Sequence, residues 1–93
     1  MITAIVSIVT DSARIPEVAQ EIAELDGVDT VYSVTGQVDL VAIVRVRRHE
    51  DLADVIADRV SKVEGVLDTS TNIAFRTYSA SDLGAAFDLG SED

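Results

Sequence analysis

The chain contains no cysteine and no tryptophan, and only one proline, one histidine and one methionine among its 93 residues. Without cysteine there is no disulfide, no thiolate metal ligand and no thiol nucleophile. A small domain lacking disulfides fits a reducing compartment, and association is one route by which it gains stability. The single histidine, His49, stands where a helix begins. That placement suits a surface or capping residue, and no nucleophile–base signature accompanies it. Two tyrosines and two phenylalanines are too few to wall an aromatic substrate pocket. No phosphate-cradling glycine loop or dinucleotide fingerprint occurs. Asp51, Asp54 and Asp58 share one helical face, but it is the polar one, and a hard cation needs more converging oxygens. No catalytic residue, metal or cofactor is assigned.

Positive charge is also scarce. Seven basic residues face seventeen acidic ones, for a formal net charge of −10. A field of that sign repels phosphate backbones. Only Arg45, Arg47 and Arg48 cluster, and at a strand end they read as a solvated rim. Direct nucleic-acid binding by this chain alone is not expected. The N-terminal apolar run follows no basic region and is too short to cross a bilayer. The expected setting is the cytoplasm, without membrane contact.

What the chain does have is hydrophobic residues, 47% of the total, arranged with clear periodicity. Ile2 to Val9 is rich in β-branched residues and reads as a strand. Asp11 and Ser12 are candidate helix caps, and Pro16 fits a first helical turn. Ile15, Val18, Ala19, Ile22 and Leu25 follow at helical spacing, and Gly27 ends the helix. Val28 to Val34 reads as a second strand. A glycine-bearing turn leads to a third, from Asp39 to about Arg47. His49, Glu50 and Asp51 open a second helix, with an apolar stripe of Leu52, Val55, Ile56, Val60 and Val63. Gly65 closes it, and Val66 to about Phe75 forms the fourth strand.

The two halves repeat. Leu25-Asp26-Gly27-Val28 recurs as Val63-Glu64-Gly65-Val66, thirty-eight residues later, and Val18, Ala19 and Ile22 meet Ile56, Ala57 and Val60 at the same offset. Strand–helix–strand twice over gives an α+β, ferredoxin-like βαββαβ fold. The expected sheet is antiparallel, in order 4-1-3-2, with both helices on one face. The helices cover only that face, yet Ile5, Val9, Val31, Val41 and Ile43 are expected on the other. So large an apolar patch predicts packing against a second copy with two-fold symmetry. Residues 1–78 form the domain. Residues 79–93 form an acidic C-terminal tail, in which Leu83, Phe87 and Leu89 can pack along a neighbouring surface.

Two polar features remain, the loop from Ser33 to Asp39 and the run Asp68-Thr69-Ser70-Thr71-Asn72. Exposed amides near Gly36 can hold a carboxylate, Asp39 can attract an ammonium, and small hydroxyls can bond either. Together they suit a free amino acid. They lie on opposite edge strands, so a shared site forms between subunits. The competing account is an ordinary hairpin and a polar edge strand.

Thr35-Gly36-Gln37-Val38-Asp39-Leu40, followed by Glu64-Gly65-Val66-Leu67-Asp68-Thr69-Ser70-Thr71 in this strand–helix order, resembles the effector-binding (RAM) domain of the Lrp/AsnC transcription regulators. The resemblance covers roughly residues 2–78. It implies a dimer through the open sheet faces, assembly into octamers or other rings, and amino-acid effectors held in clefts between dimers. Gly36 and Asp39 match the family's hairpin positions, Thr69 and Thr71 its last core strand, and Ser33 and Gln37 are adjacent candidates. The family's N-terminal helix-turn-helix has no counterpart ahead of Ile2, so the chain is similar to stand-alone RAM proteins. Any effect on transcription would then be indirect, through a full-length Lrp/AsnC regulator. A purely structural assembly partner, a small ferredoxin-like dimeric enzyme and an ACT-type sensing domain are the alternatives.

Overall fold

Alternation of β-branched residues and two helical stripes produce the expected elements in the computed structural model, which describes residues 1–80. Strand β1 spans Ile2–Thr10, helix α1 Ile15–Ala23, strands β2 and β3 Val28–Ser33 and Leu40–Val46, helix α2 Asp51–Ile56, and strand β4 Val66–Ala74. The sheet is antiparallel throughout, in order β2-β3-β1-β4, which is the expected 4-1-3-2 read from the other edge. The tail expected at 79–93 lies outside the described residues from position 81 onward.

Register decides which side chains meet the helices. Ala4, Val6 and Ile8 on β1 lie opposite Val44, Ala42 and Leu40 on β3. All six are fully buried, as are Val18 and Ile22 of α1. Leu52 and Val55 of α2 complete the same cluster. Paired residues of antiparallel strands share a face, so Thr3, Ile5, Ser7 and Val9 project to the other side with Val41, Ile43 and Arg45. Ile5 remains 39% exposed there.

Val31 does not join that face. It lies opposite Ala42 and packs against the core. An irregularity between Val28 and Thr30 inserts a residue into β2 and reverses its alternation. Thr30 and Tyr32, opposite Ile43 and Val41, take the open face instead.

The second helix is shorter than its apolar stripe suggests. After Ile56 the helix widens: the N–H groups of both Ala57 and Asp58 reach the Ala53 carbonyl, at 2.9 and 3.3 Å. The chain then makes a 3-10 turn over Val60–Lys62, and the three-residue spacing keeps Val60 and Val63 buried. At the start of α1, Asp11 caps the preceding 3-10 turn, Ser12–Arg14, by accepting from the Ala13 N–H at 2.9 Å. Helix α1 itself begins with Pro16 in its first turn and no side-chain cap.

The internal repeat has a packing counterpart. Gly27, at the end of the first repeat, faces Val55 of α2, and Gly65, at the end of the second, faces Val18 of α1. Each glycine closes against the helix of the other half.

Candidate functional site

The base of the loop between β2 and β3 is fixed by three hydrogen bonds, one across the loop and two to β1. The Val34 N–H donates to the Asp39 carbonyl at 3.1 Å, and the Asp39 N–H donates to the Ile8 carbonyl at 2.9 Å. The Thr10 N–H donates to Asp39 Oδ2 at 2.9 Å. The Asp39 carboxylate thus continues the β1–β3 ladder past the last strand residue and gives the hairpin a fixed base. Gly36 turns the tip at φ +115°, with no atom within 4 Å of where a Cβ would stand. Its backbone is therefore open to an approaching group. Ser33 ends β2 opposite Leu40, and Ser33, Thr35 and Gln37 are all exposed. Four of the sequence-selected residues, Ser33, Gly36, Gln37 and Asp39, fall on or beside this loop.

Thr69 and Thr71 lie elsewhere. They stand opposite Ile8 and Val6, whose side chains are buried under the helices, so both threonines point to the helix side of edge strand β4. Thr69 is half-buried and Thr71 exposed. Asp39 lies beside the β1 residue Val9, and Thr71 opposite Val6. Two strand spacings and three residues of rise put their Cα atoms roughly 14 Å apart. Between them runs β1, whose helix-side residues Val6 and Ile8 are fully buried. One protomer does not bring the hairpin and Thr71 onto a common ligand.

Thr71 borders a groove of about 390 Å³ between β4 and α2. Ile73 extends the strand wall, and Leu52, Ala53, Ile56 and Ala57 form the helix wall. His49 and Glu50, just ahead of α2, stand at one end. The groove exists because Ala53 and Ala57, one helical turn apart, are too small to fill the space beside β4. Sequence reading selected Thr71 but not this helix wall. Its signal was the alanine pair flanking the Leu52–Ile56 stripe.

Comparison with known proteins bears on both regions. The family model described as the Lrp/AsnC ligand binding domain matches residues 3–83. An uncharacterized HTH-type transcriptional regulator of Pyrococcus furiosus is 32% identical over 72 residues, covering 77% of this chain and 49% of that protein. The chain spans about half the length, or less, of the first curated relatives it matches. The crystal structure of TTHA0845 from Thermus thermophilus superposes with a TM-score of 0.81 at 47% identity, over 85% of this chain and 99% of that one. A feast or famine regulatory protein from M. tuberculosis, complexed with L-methionine, superposes with a TM-score of 0.71 at 25% identity, over 85% of this chain and 53% of that one. With the family model matched across the sheet, both helices and the hairpin, the chain belongs to the Lrp/AsnC ligand binding domain family.

Proposed function

We propose that the protein is a non-enzymatic effector-binding and oligomerisation module whose ligand is a free amino acid. The observation that carries this reading is the separation of the two polar regions. The hairpin offers an open glycine backbone and a carboxylate anchored through one oxygen. The edge of β4 offers hydroxyls beside an apolar groove. Each holds half of what an amino acid requires, and the core stands between them. The ligand site, Gly36, Asp39, Thr69 and Thr71 with Ser33 and Gln37 beside them, is therefore completed across subunits. The relative complexed with L-methionine supports the ligand class.

The open sheet face supports self-association. Ile5 and Ile43 lie directly opposite one another at its centre, with Val41 and Tyr32 adjacent. A two-fold dimer buries this patch, and further pairing of dimers into an octamer or other ring brings hairpins toward β4 edges. Ligand that completes the cleft stabilises the assembled state by mass action, about 2.7 kcal/mol at a hundredfold excess over Kd. The relatives named as transcriptional regulators support a regulatory output, exerted through co-assembly with a full-length Lrp/AsnC regulator. The setting is the cytoplasm. No helix among the described residues is long and apolar enough to cross a membrane.

Isothermal titration against the twenty standard amino acids tests the reading: heat with at least one is expected. Silence across the panel from folded, associated protein would overturn it. A second expectation concerns the dimer. Ile43 is only half-buried in the free chain, so Ile43→Glu leaves the helix-side core intact. It is expected to turn the dimer into a monomer at micromolar concentration by sedimentation velocity, with unchanged circular dichroism. The more exposed Tyr32→Glu, 55% accessible in the parent, is expected to weaken the dimer in the same direction. A dimer indifferent to both places the contact on another surface.

A further inference from the structure

We infer that residues 81–93 dock on an arginine rim of their own protomer, at the end of the sheet where β1 begins and β3 and β4 end. The segment carries Asp82, Asp88, Glu92 and Asp93, no basic residue, and the apolar Leu83, Phe87 and Leu89. The family match stops at residue 83, so most of the segment lies beyond the shared domain.

Antiparallel pairing gathers the rim. Arg45 on β3 and Ala74, the last residue of β4, both lie opposite Thr3 of β1. Arg47 and Arg48 follow the end of β3, and Arg76 follows the end of β4. Four of the seven basic residues thus collect at one end of a chain whose net charge is −10. All four are exposed. Acidic groups of the domain answer them only in part. Arg48 lies 3.6 Å from Asp51, Asp29 shares a shallow hollow with Arg45, and Glu50 follows close behind. Among the described residues, Arg45, Arg47 and Arg76 make no side-chain hydrogen bond or ion pair.

The acidic segment supplies what the rim lacks. Arg45 and the end of β4 are two strand spacings apart, about 10 Å. Thirteen residues extend up to about 45 Å, so the segment reaches every arginine of the rim without a neighbour. Phe75, 94% exposed next to Arg76, offers an apolar surface for Leu83 or Phe87. Docked there, the segment occupies the surface that an outside polyanion would otherwise use.

The lack of cysteine makes a single nitroxide label unambiguous. The test places it at Ala86→Cys in the full, deuterated chain and reads amide signals at low salt. Loss of more than half the signal is expected at Arg45, Arg47, Arg48 and Arg76, with Lys62, ahead of the opposite end of β4, spared. Raising salt from about 0.05 to about 0.5 M shortens the screening length about threefold and is expected to restore the signals. Arg45→Gln, Arg47→Gln and Arg48→Gln together are expected to restore those of Thr3 and Ala74, whereas Lys62→Gln leaves them quenched. In a refolded mixture of spin-labelled and isotope-labelled chains the quenching is expected to vanish. Its persistence there would put the segment on a neighbouring subunit and overturn the assignment to its own protomer. Quenching centred elsewhere, quenching indifferent to salt and to the arginine substitutions, or no quenching at all overturns the docking itself.

Discussion

Gly65→Ala is expected to lower the stability of the fold by about 2–5 kcal/mol in urea denaturation, the sum of a backbone and a packing cost. Gly65 sits at φ +104°, where a side chain costs about 1–2 kcal/mol. A Cβ there would also lie 2.7 Å from Val18 Cγ2 and 3.2 Å from Arg14 Nε. Val18 is fully buried, so it has no free volume to retreat into, and overpacking of this kind typically adds about 1–3 kcal/mol. Gly36→Ala provides the control. Its φ is +115°, but no atom lies within 4 Å of the Cβ position, so only the backbone cost of about 1–2 kcal/mol remains. Equal losses at the two positions would show that the contact with Val18 carries no energy. A double-mutant cycle with Val18→Ala sharpens the point: relief of the overlap makes the double variant more stable than the two single losses predict. The same argument applies at Gly27, where the obstructing atom is Val55 Cγ2 at 2.7 Å. The two halves of the molecule are thus locked by equivalent contacts, each needing a residue without a side chain.

Those glycines explain why the fold was legible. The repeat at a thirty-eight-residue offset puts Gly27 and Gly65 in equivalent positions on sequence grounds alone. The two-sided apolarity of β1 and β3 agrees with their central places in the sheet. Legibility ended where a single residue shifts the alternation. Counting from Val28 puts Val31 on the open face in a regular strand, and the irregularity beside Thr30 reverses this. No glycine or proline marks that position, so the hydrophobic pattern alone did not reveal it. The hairpin was readable because Gly36 is a local turn signal. The groove was not, because it is the absence of volume at Ala53 and Ala57 against a strand distant in sequence.

Asp39 has two roles to separate, because its carboxylate accepts from the Thr10 N–H and is also the ammonium partner of the proposed site. Asp39→Asn keeps a side-chain oxygen for the Thr10 N–H and removes the charge. Asp39→Ala removes both. The alanine variant is expected to lose about 1–3 kcal/mol of stability through the broken charge-assisted bond. The asparagine variant is expected to lose less than about 1 kcal/mol, since a neutral acceptor remains. Both are expected to lose at least about 30-fold in amino-acid affinity, equivalent to roughly 2 kcal/mol for removing one partner of a desolvated charge pair. Stability and affinity thus move together in one variant and apart in the other. An asparagine variant that binds as tightly as the parent would reduce Asp39 to a strut between the hairpin and β1. An asparagine variant as unstable as the alanine one would mean that the charge, rather than the acceptor geometry, holds the hairpin base. Measuring the two variants side by side assigns the carboxylate to fold, to ligand, or to both, because Oδ2 meets Thr10 and the proposed ligand contact falls to the second oxygen.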